Sequence, residues 1–160
     1  MNGNQPAYAE LIRRHQRFVF TLALRFTRSR EDAEEVAQDV FVKAYRSLNS
    51  FQRTAKFSTW LYSIVYTTSM TFLRKHKLDT QSIDEEGVNL QLEDVASDFR
   101  ADQVEQKSKI AYLNLAIDRL LPDDAAIITL FYKGEQSLEE IGQALGMEAN
   151  TVKVKLHRAR

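Results

Sequence analysis

The sequence predicts an all-α fold: two small helical domains joined by an acidic flexible linker, the second domain containing a helix-turn-helix. The 160 residues include only two prolines and five glycines, so long stretches lack helix breakers. Apolar residues recur at three- and four-residue steps through most of the chain. Charge is uneven, with 13 basic against 6 acidic residues in 1–77 and 1 against 9 in 78–105. We therefore expect domains at 1–77 and 105–160, with a linker at 78–104.

The composition argues against several classes of protein. Cysteine is absent, which excludes disulfides and thiolate metal sites and suits a reducing cytoplasm. No apolar run approaches the roughly 20 residues of a membrane span, and residues 1–10 lack the pattern of a secretory signal. The three histidines lie far apart, and neither a phosphate-binding glycine loop nor a GxSxG motif is present. We expect no metal, no cofactor and no enzymatic activity, while the basic front half favours a polyanionic partner.

Two helices are predicted at the start of the first domain. The first covers 7–27, where apolar residues keep helical spacing, and Ser29 or Arg30 interrupts the pattern. Acidic residues then suit the first turn of a second, clearly amphipathic helix. Its outward face carries Glu35, Gln38, Asp39, Val42 and Arg46. Such a face is ordinarily solvated, unless a basic partner covers it.

A polar loop at 49–56 leads into the aromatic segment "KFSTWLYSIVYTTSMTFLRKHK" at 56–77. Its β-branched and aromatic residues favour a strand, but its length without a turn signal favours a helix capped by Ser58 or Thr59. The predicted inward face holds Leu61, Ile64, Val65 and Phe72. Core packing is the ordinary role of the rings, yet Trp60, Tyr62 and Tyr66 do not all fit that face. Exposed rings beside cations are typical of platforms for unstacked bases, although a helix C-terminus attracts cations in any case.

The second domain is predicted to contain four helices. A helix from 101 to 120 would turn Ile110, Leu113, Ala116, Ile117 and Leu120 inward. Pro122 suits the first turn of the next helix, which Gly134 ends.

The last segment, "SLEEIGQALGMEANTVKVKLHRAR" at 137–160, has the pattern of a helix-turn-helix. Ser137 and Glu140 form a capping box, and Gly146 supplies the positive φ of a tight turn. Asn150 or Thr151 is expected to cap a final helix with a basic outer face. An ordinary helical hairpin with a solvated face is the alternative.

Four segments, in this order, resemble the extracytoplasmic-function (ECF) sigma factors, the small two-domain promoter-specificity subunits of bacterial RNA polymerase. They are "EDAEEVAQDVFVKAYRSLNSF" at 31–51, "KFSTWLYSIV" at 56–65, "LRKHK" at 73–77 and "LEEIGQALGMEANTVKVKLHRAR" at 138–160. The resemblance implies a cytoplasmic protein that binds core RNA polymerase and promoter DNA. It also implies control by an anti-sigma factor.

The resemblance further implies a role for individual residues. Core polymerase would be bound by Glu35, Gln38, Asp39, Val42 and Arg46. The first domain would recognise and melt the −10 element through Asn49, Ser50, Phe51, Arg53, Lys56, Trp60, Tyr62, Tyr66, Arg74, Lys75 and Lys77. The second would read the −35 element through Thr151, Lys153, Val154, Lys155, His157 and Arg158.

Several positions depart from the family pattern. Relatives usually carry Arg, Asn and later Asp where this chain has Tyr66, Thr67 and Thr71, so its strand contacts or promoter preference are expected to differ. Val154 replaces a common serine, which favours contact with a thymine methyl group. Two other readings stay open: a conventional regulator that binds duplex DNA without polymerase, and an adaptor that only sequesters an anti-sigma protein. An assay for transcripts with purified core polymerase separates them.

Overall fold

The computed structural model describes residues 5–80 and 101–160, with side chains described at 5–79 and 106–160. All regular structure within these residues is helical, which confirms the all-α prediction. The helices are α1 (Gln5–Thr27), α2 (Arg30–Ser47), α3 (Phe57–Thr80), α4 (Ala101–Asp118), α5 (Pro122–Ile128), α6 (Leu138–Leu145) and α7 (Ala149–Ala159). A 3₁₀ turn at Leu48–Ser50 follows α2, and a π-helical turn at Thr129–Lys133 extends α5.

Helices α1, α2 and α3 pack against one another to form the front half of the molecule. The reversal between α1 and α2 is made by Arg28, whose φ of 57° lies in the left-handed region. Ser29 then caps α2 by accepting a hydrogen bond from the backbone N–H of Asp32 at 3.4 Å. Leu22, Val40 and Val65 are fully buried where the three helices meet.

Helices α4 to α7 form the back half. Pro122 occupies the first turn of α5, as predicted. The capping box of α6 is confirmed: Ser137 and Glu140 each accept a hydrogen bond from the other's backbone N–H. Gly146 has the predicted positive φ, 65°, at the end of α6.

Three local predictions are wrong. In α4, Ile110 and Leu113 were expected to face inward but are 57% and 60% exposed, and Ile117 alone of that stripe is buried. The start of α7 is not capped by Asn150 or Thr151, because the helix begins at Ala149 with Glu148 in the capping position. Neither Ser58 nor Thr59 caps α3, since the helix begins at Phe57 and Thr59 is buried inside it.

The two halves pack directly on each other through α1 against α5 and α3 against α6. Their buried apolar residues form one continuous core that includes Val19 and Leu61 from the front and Leu130 and Ile141 from the back. The predicted linker overlaps the ends of α3 and α4, and its remainder, 81–100, lies outside the described residues. Among the described helices, none combines the length and the apolar character that crossing a bilayer requires.

Candidate nucleic-acid interface

The outer face of α2 is an exposed surface of mixed character. The residues predicted on it are all exposed: Glu35, Gln38, Asp39, Val42 and Arg46. Val42 leaves 47% of its surface in contact with solvent, which is unusual for a helix whose other valines are buried. Asp39 pairs with Lys43 one turn later at 3.0 Å, and both side chains remain about half exposed. The surface thus combines acidic groups with an apolar centre, a pattern suited to a protein partner.

A groove of about 1020 Å³ runs beside this face between α1 and α2. Ile12 and Phe20 contribute apolar surface from α1, and Phe41 and Val42 do so from α2. Arg13 lies at its edge, where its guanidinium pairs with Glu10 at 2.8 Å. That pairing, with a second hydrogen bond from Arg14, lowers the pKa of Glu10 to about 2. The groove thus adds exposed apolar surface beside the outer face of α2.

A small aromatic pocket of about 250 Å³ lies where the 51–56 loop meets α3. Trp60 is half-buried there, with its ring centroid 5.1 Å from Phe51 and 5.5 Å from Phe57. Polar residues complete the wall: Ser50, Gln52, Thr54, Thr59, Ser63 and Gln143. Arg53, at the tip of the loop, is exposed with a positive φ of 58°. Rings and hydrogen-bonding groups around a concave site of this size suit a planar heterocycle.

The next two tyrosines of α3 do not belong to that exposed platform. Tyr62 is only 5% exposed and packs against Phe18 with ring centroids 4.7 Å apart. Burial raises the pKa of its hydroxyl to about 12. Tyr66 is half-buried against Phe26, and burial together with the nearby Asp123 raises its pKa. Tyr62 was expected to be an exposed ring; here it is a core residue, because it packs against Phe18 of α1 within the buried apolar cluster.

The C-terminal part of α3 carries the predicted cationic cluster on its surface. Arg74, Lys75 and Lys77 are all exposed. Upstream, Thr67 and Thr71 are also exposed, and their hydroxyls donate to the carbonyl oxygens of Ser63 and Thr67 at 3.0 and 2.9 Å. These two threonines therefore present their methyl groups rather than a free hydroxyl to anything that lies along the helix.

The turn between α6 and α7 is tight enough to require glycine. A Cβ atom on Gly142 would lie 2.5 Å from the carbonyl oxygen of Met147, on the backbone of the following turn. That close approach accompanies a hydrogen bond of 2.9 Å from the Met147 N–H to the Gly142 carbonyl. Val152 and Leu156 of α7 are buried against the rest of the back half. The geometry matches the predicted helix-turn-helix, with α7 as its outer helix.

The outward face of α7 holds most of the residues predicted for base reading. Exposed there are Thr151, Lys153, Val154, His157 and Arg158. Val154 is 44% exposed, so its methyl groups are available to an apolar contact. Lys155 is an exception: it is mostly buried, and its ammonium group lies 3.5 Å from the Asp124 carboxylate of α5. We therefore remove Lys155 from the predicted reading surface, because its charge is directed into its own domain.

Comparison with known proteins agrees with this arrangement. Family models described as Sigma-70 region 2 and Sigma-70, region 4 match residues 11–78 and 110–160. The ECF RNA polymerase sigma factor SigW of Bacillus subtilis is 32% identical, over 99% of this chain and 87% of its own. The ECF RNA polymerase sigma-E factor of Escherichia coli strain K12 is 31% identical, with coverage of 99% and 85%. This chain belongs to the ECF sigma factors.

Solved structures support the same fold for this sigma factor. A sigma factor RpoE of Bartonella quintana, in complex with the anti-sigma factor NepR, aligns with a TM-score of 0.71 at 20% identity. That alignment covers 96% of this chain and 92% of the other. CnrH, in complex with the cytosolic domain of CnrY, aligns with a TM-score of 0.65 at 23% identity, covering 99% and 85%. At these identities the likeness establishes the fold.

Sequence reasoning missed the polar residues that join the two halves of the sigma factor. Arg25 is 5% exposed and contacts Thr129, Asn114 and Asp118 in the back half. Thr59 donates to the side-chain oxygen of Gln136 at 2.8 Å. The sequence did contain a signal for Arg25. This arginine lies on the buried stripe of α1, one turn after Leu22, and no carboxylate near it in the sequence could pair with its charge. Its partners follow 89 to 104 residues later, beyond the reach of local patterns.

Proposed function

We propose that this sigma factor binds core RNA polymerase through the outer face of α2. The partner surface would be basic and apolar, matching Glu35 and Asp39 in the turns of α2 that precede Val42. Val42 and Tyr45 are both nearly half exposed and line one shallow pocket, which supports this role because a contiguous exposed apolar patch marks an interaction surface. The adjoining groove between α1 and α2 offers additional apolar surface to the same partner.

The front half, 1–77, would then recognise and melt the −10 element. An unpaired base fits the pocket that Trp60 and Phe51 form with the polar loop, while Asn49, Ser50, Arg53 and Lys56 contact its strand. Arg74, Lys75 and Lys77 would hold phosphates further along α3. Tyr66 is half-exposed and would contact the single strand, whereas Tyr62 is buried and would stabilise α3 through core packing.

The back half, 105–160, would read the −35 element as duplex DNA. Helix α7 would enter the major groove with Lys153, Val154, His157 and Arg158 towards base edges, and Thr151 near the backbone. The observation that carries the whole proposal is that one chain contains both the aromatic pocket and the helix-turn-helix. An aromatic base pocket serves single strands, and a helix-turn-helix serves duplexes, so together they suit a protein that works where DNA is being opened.

Control by an anti-sigma factor is part of the proposal. The solved RpoE structure named above is a complex with the anti-sigma factor NepR. In this chain the exposed apolar residues of α4 are available to such a partner: Ile110, Tyr112, Leu113 and Leu115. We place the function in the cytoplasm, where polymerase and DNA are, and assign it no catalytic step of its own.

The test is transcription by purified core polymerase in the presence of this protein. We expect transcripts that start at a defined site and depend on the protein. Exchanging Glu35 and Asp39 for arginine should abolish co-purification with polymerase and all transcripts, with helicity unchanged, because loss of a desolvated charge contact costs about 2–5 kcal/mol. The control is Glu31→Arg, an exposed site in the first turn of the same helix, and it should retain binding.

A conventional regulator would give a different result in the same assay. It would bind duplex DNA tightly without polymerase, and the double arginine variant would behave like the unaltered protein. An adaptor would give neither transcripts nor DNA binding. Either result would overturn the proposed function.

A further inference from the structure

We propose that the sigma factor closes on itself without a partner, through a polar latch between its two halves, and that the closed form cannot engage a promoter. The inference rests on the proposed function for the meaning of closure, although closure itself is measured independently. The latch comprises Arg25, Arg28 and Thr59 in the front half with Asn114, Asp118, Thr129 and Gln136 in the back half.

The centre of the latch is the buried guanidinium of Arg25. Its three nitrogens donate to Thr129 Oγ1 at 3.2 Å, to Asp118 Oδ1 at 2.5 Å and to Asn114 Oδ1 at 2.9 Å. All three acceptors come from the back half. A buried guanidinium depends on such partners, because each donor left unpaired would carry a large desolvation cost. Separating the halves would remove every one of these acceptors at once.

A second arginine holds the end of α4. Arg28 donates to the backbone carbonyls of Asp118, at 2.5 Å, and Leu120. The Asp118 carbonyl is the last of α4 and the Leu120 carbonyl lies two residues beyond it, so both are near the negative end of the helix dipole, where carbonyls lack intrahelical partners. Arg28, whose backbone is in the left-handed conformation, thus lies at the contact between the front half and the back half.

A third group of contacts covers the start of α3. Thr59 and Gln136 are both buried, and the Gln136 amide also donates to the carbonyl of Gly134 at 3.0 Å. Lys56, at the end of the 51–56 loop, pairs through its ammonium group with the Glu140 carboxylate of α6 at 2.8 Å. Gln143 of the same helix forms part of the wall of the aromatic pocket. The first helix of the helix-turn-helix therefore lies over the region proposed to receive the unpaired base.

Distance shows that the closed form and the promoter-bound form differ. Sites centred 10 and 35 base pairs before a start point are separated by roughly 85 Å of duplex, at about 3.4 Å per base pair. In this structure α3 packs on α6 and α6 packs on α7. Packed helices lie about 8–10 Å apart. The aromatic pocket and α7 therefore cannot reach the −10 and −35 elements of one duplex at the same time. The halves must separate before both elements are read.

The test uses fluorescence energy transfer in the full chain. Because cysteine is absent, dyes can be placed through Glu31→Cys and Glu139→Cys, one exposed site on each half. We expect the free protein to show one high-transfer population. Combining Asn114→Ala with Asp118→Ala should raise the ratio of open to closed molecules about tenfold or more, since two hydrogen bonds to a charged group are lost. The closely isosteric Thr59→Val should raise it by a smaller factor.

The control is Glu34→Ala, which removes an exposed ion pair within α2 and should leave the distribution unchanged. Helicity by circular dichroism must be retained in every variant, and Thr59→Val keeps the test valid if the double variant unfolds. A free protein that is already open, or a distribution that neither latch variant alters, would overturn the latch. Closure that is confirmed while polymerase and promoter produce no transcripts and no opening would instead overturn the proposed function.

Discussion

Glu140 serves two neighbours with one carboxylate. It accepts from the ammonium group of Lys56 and from the backbone N–H of Ser137, each at 2.8 Å. The Lys56 hydrogen bond, followed by the Ser137 backbone, lowers the pKa of Glu140 below its usual value of 4.5. A lowered pKa means that the unfolded chain binds the proton more tightly, so acid favours unfolding at this residue.

We therefore predict a pH-dependent contribution from Glu140. The stability that ionised Glu140 contributes should be fully present above about pH 4.5. It should be lost as the pH falls through the pKa of Glu140 in the folded protein, which is lower than in the unfolded chain. Glu140→Gln keeps an acceptor for the Ser137 N–H but removes the charge that pairs with Lys56. It should therefore lower the free energy of unfolding at pH 7 by at most about 1 kcal/mol, the scale of a partly exposed ion pair, and this difference should shrink in acid. Urea titrations at a series of pH values measure it. Glu139→Gln, one residue earlier and exposed, is the control; parallel curves for the Glu140 variant and the unaltered protein would refute the prediction.

Trp60 and Tyr62, two residues apart on α3, should respond differently to truncation. Tyr62→Ala removes a buried ring and should lower the free energy of unfolding by about 3–5 kcal/mol. Trp60→Ala should fold but bind a −10 non-template oligonucleotide about 5- to 150-fold more weakly, because a stacked base contributes roughly 1–3 kcal/mol. Thermal melting and 2-aminopurine fluorescence report the two effects. A strongly destabilised Trp60→Ala with normal oligonucleotide binding would assign Trp60 to the core instead.

At the scale of the element, α7 divides its basic residues between two tasks. Lys155 pairs with Asp124, and Arg160 lies over the rings of Phe131 and Tyr132 at 5.6 and 5.5 Å. Arg158 is exposed on the outward face. The helix thus uses some of its cations to attach itself to α5 and the π-helical turn, and leaves others for DNA.

We predict that Arg158→Ala lowers transcription from the cognate promoter about tenfold or more, since a base contact contributes roughly 1–3 kcal/mol of discrimination. Initiation from a template without the −35 sequence should change little. Run-off transcription on the two templates measures the difference. Lys155→Ala is the matched control within the same helix, and its effect should appear in stability rather than in promoter choice. Equal losses on both templates would make Arg158 a phosphate contact.

The sequence predicts best those elements that depend on residues close to one another in the chain. The capping box of α6 and the turn at Gly146 depend on residues three to nine positions apart, and both are confirmed. The exposed stripe of α4 was misassigned because amphipathic spacing shows only that a face is apolar, without showing what covers it. Tyr62 was misassigned because its ring packs against a distant part of the chain, Phe18 of α1, which local spacing does not reveal. The roles of the individual site residues stay predictions.

At the scale of the whole molecule, the two halves share one core. Leu22 and Val65 belong to the same buried cluster as Ile127 and Ile141. Gly134 comes so close to the front half that an added Cβ would lie 2.9 Å from the ring of Phe18. Such contact couples the stabilities of the halves.

We accordingly predict a single cooperative unfolding transition for the free protein. The chain has one tryptophan, Trp60, so its fluorescence reports on the front half, whereas circular dichroism reports on helices of both. The two probes should give the same midpoint in urea. Midpoints that differ, with helicity persisting after the fluorescence change, would show that the halves unfold separately.

The division of the latch between distant parts of the chain affects how such proteins can be recombined. A chimera that joins the front half of this protein to the back half of a relative would keep Arg25 and Arg28 but exchange Asn114 and Asp118. Unless the donor supplies equivalent acceptors, the hybrid would bury an uncompensated guanidinium or stay open. Swapping promoter preferences between family members is therefore a matter of transplanting the latch acceptors together with the reading helix.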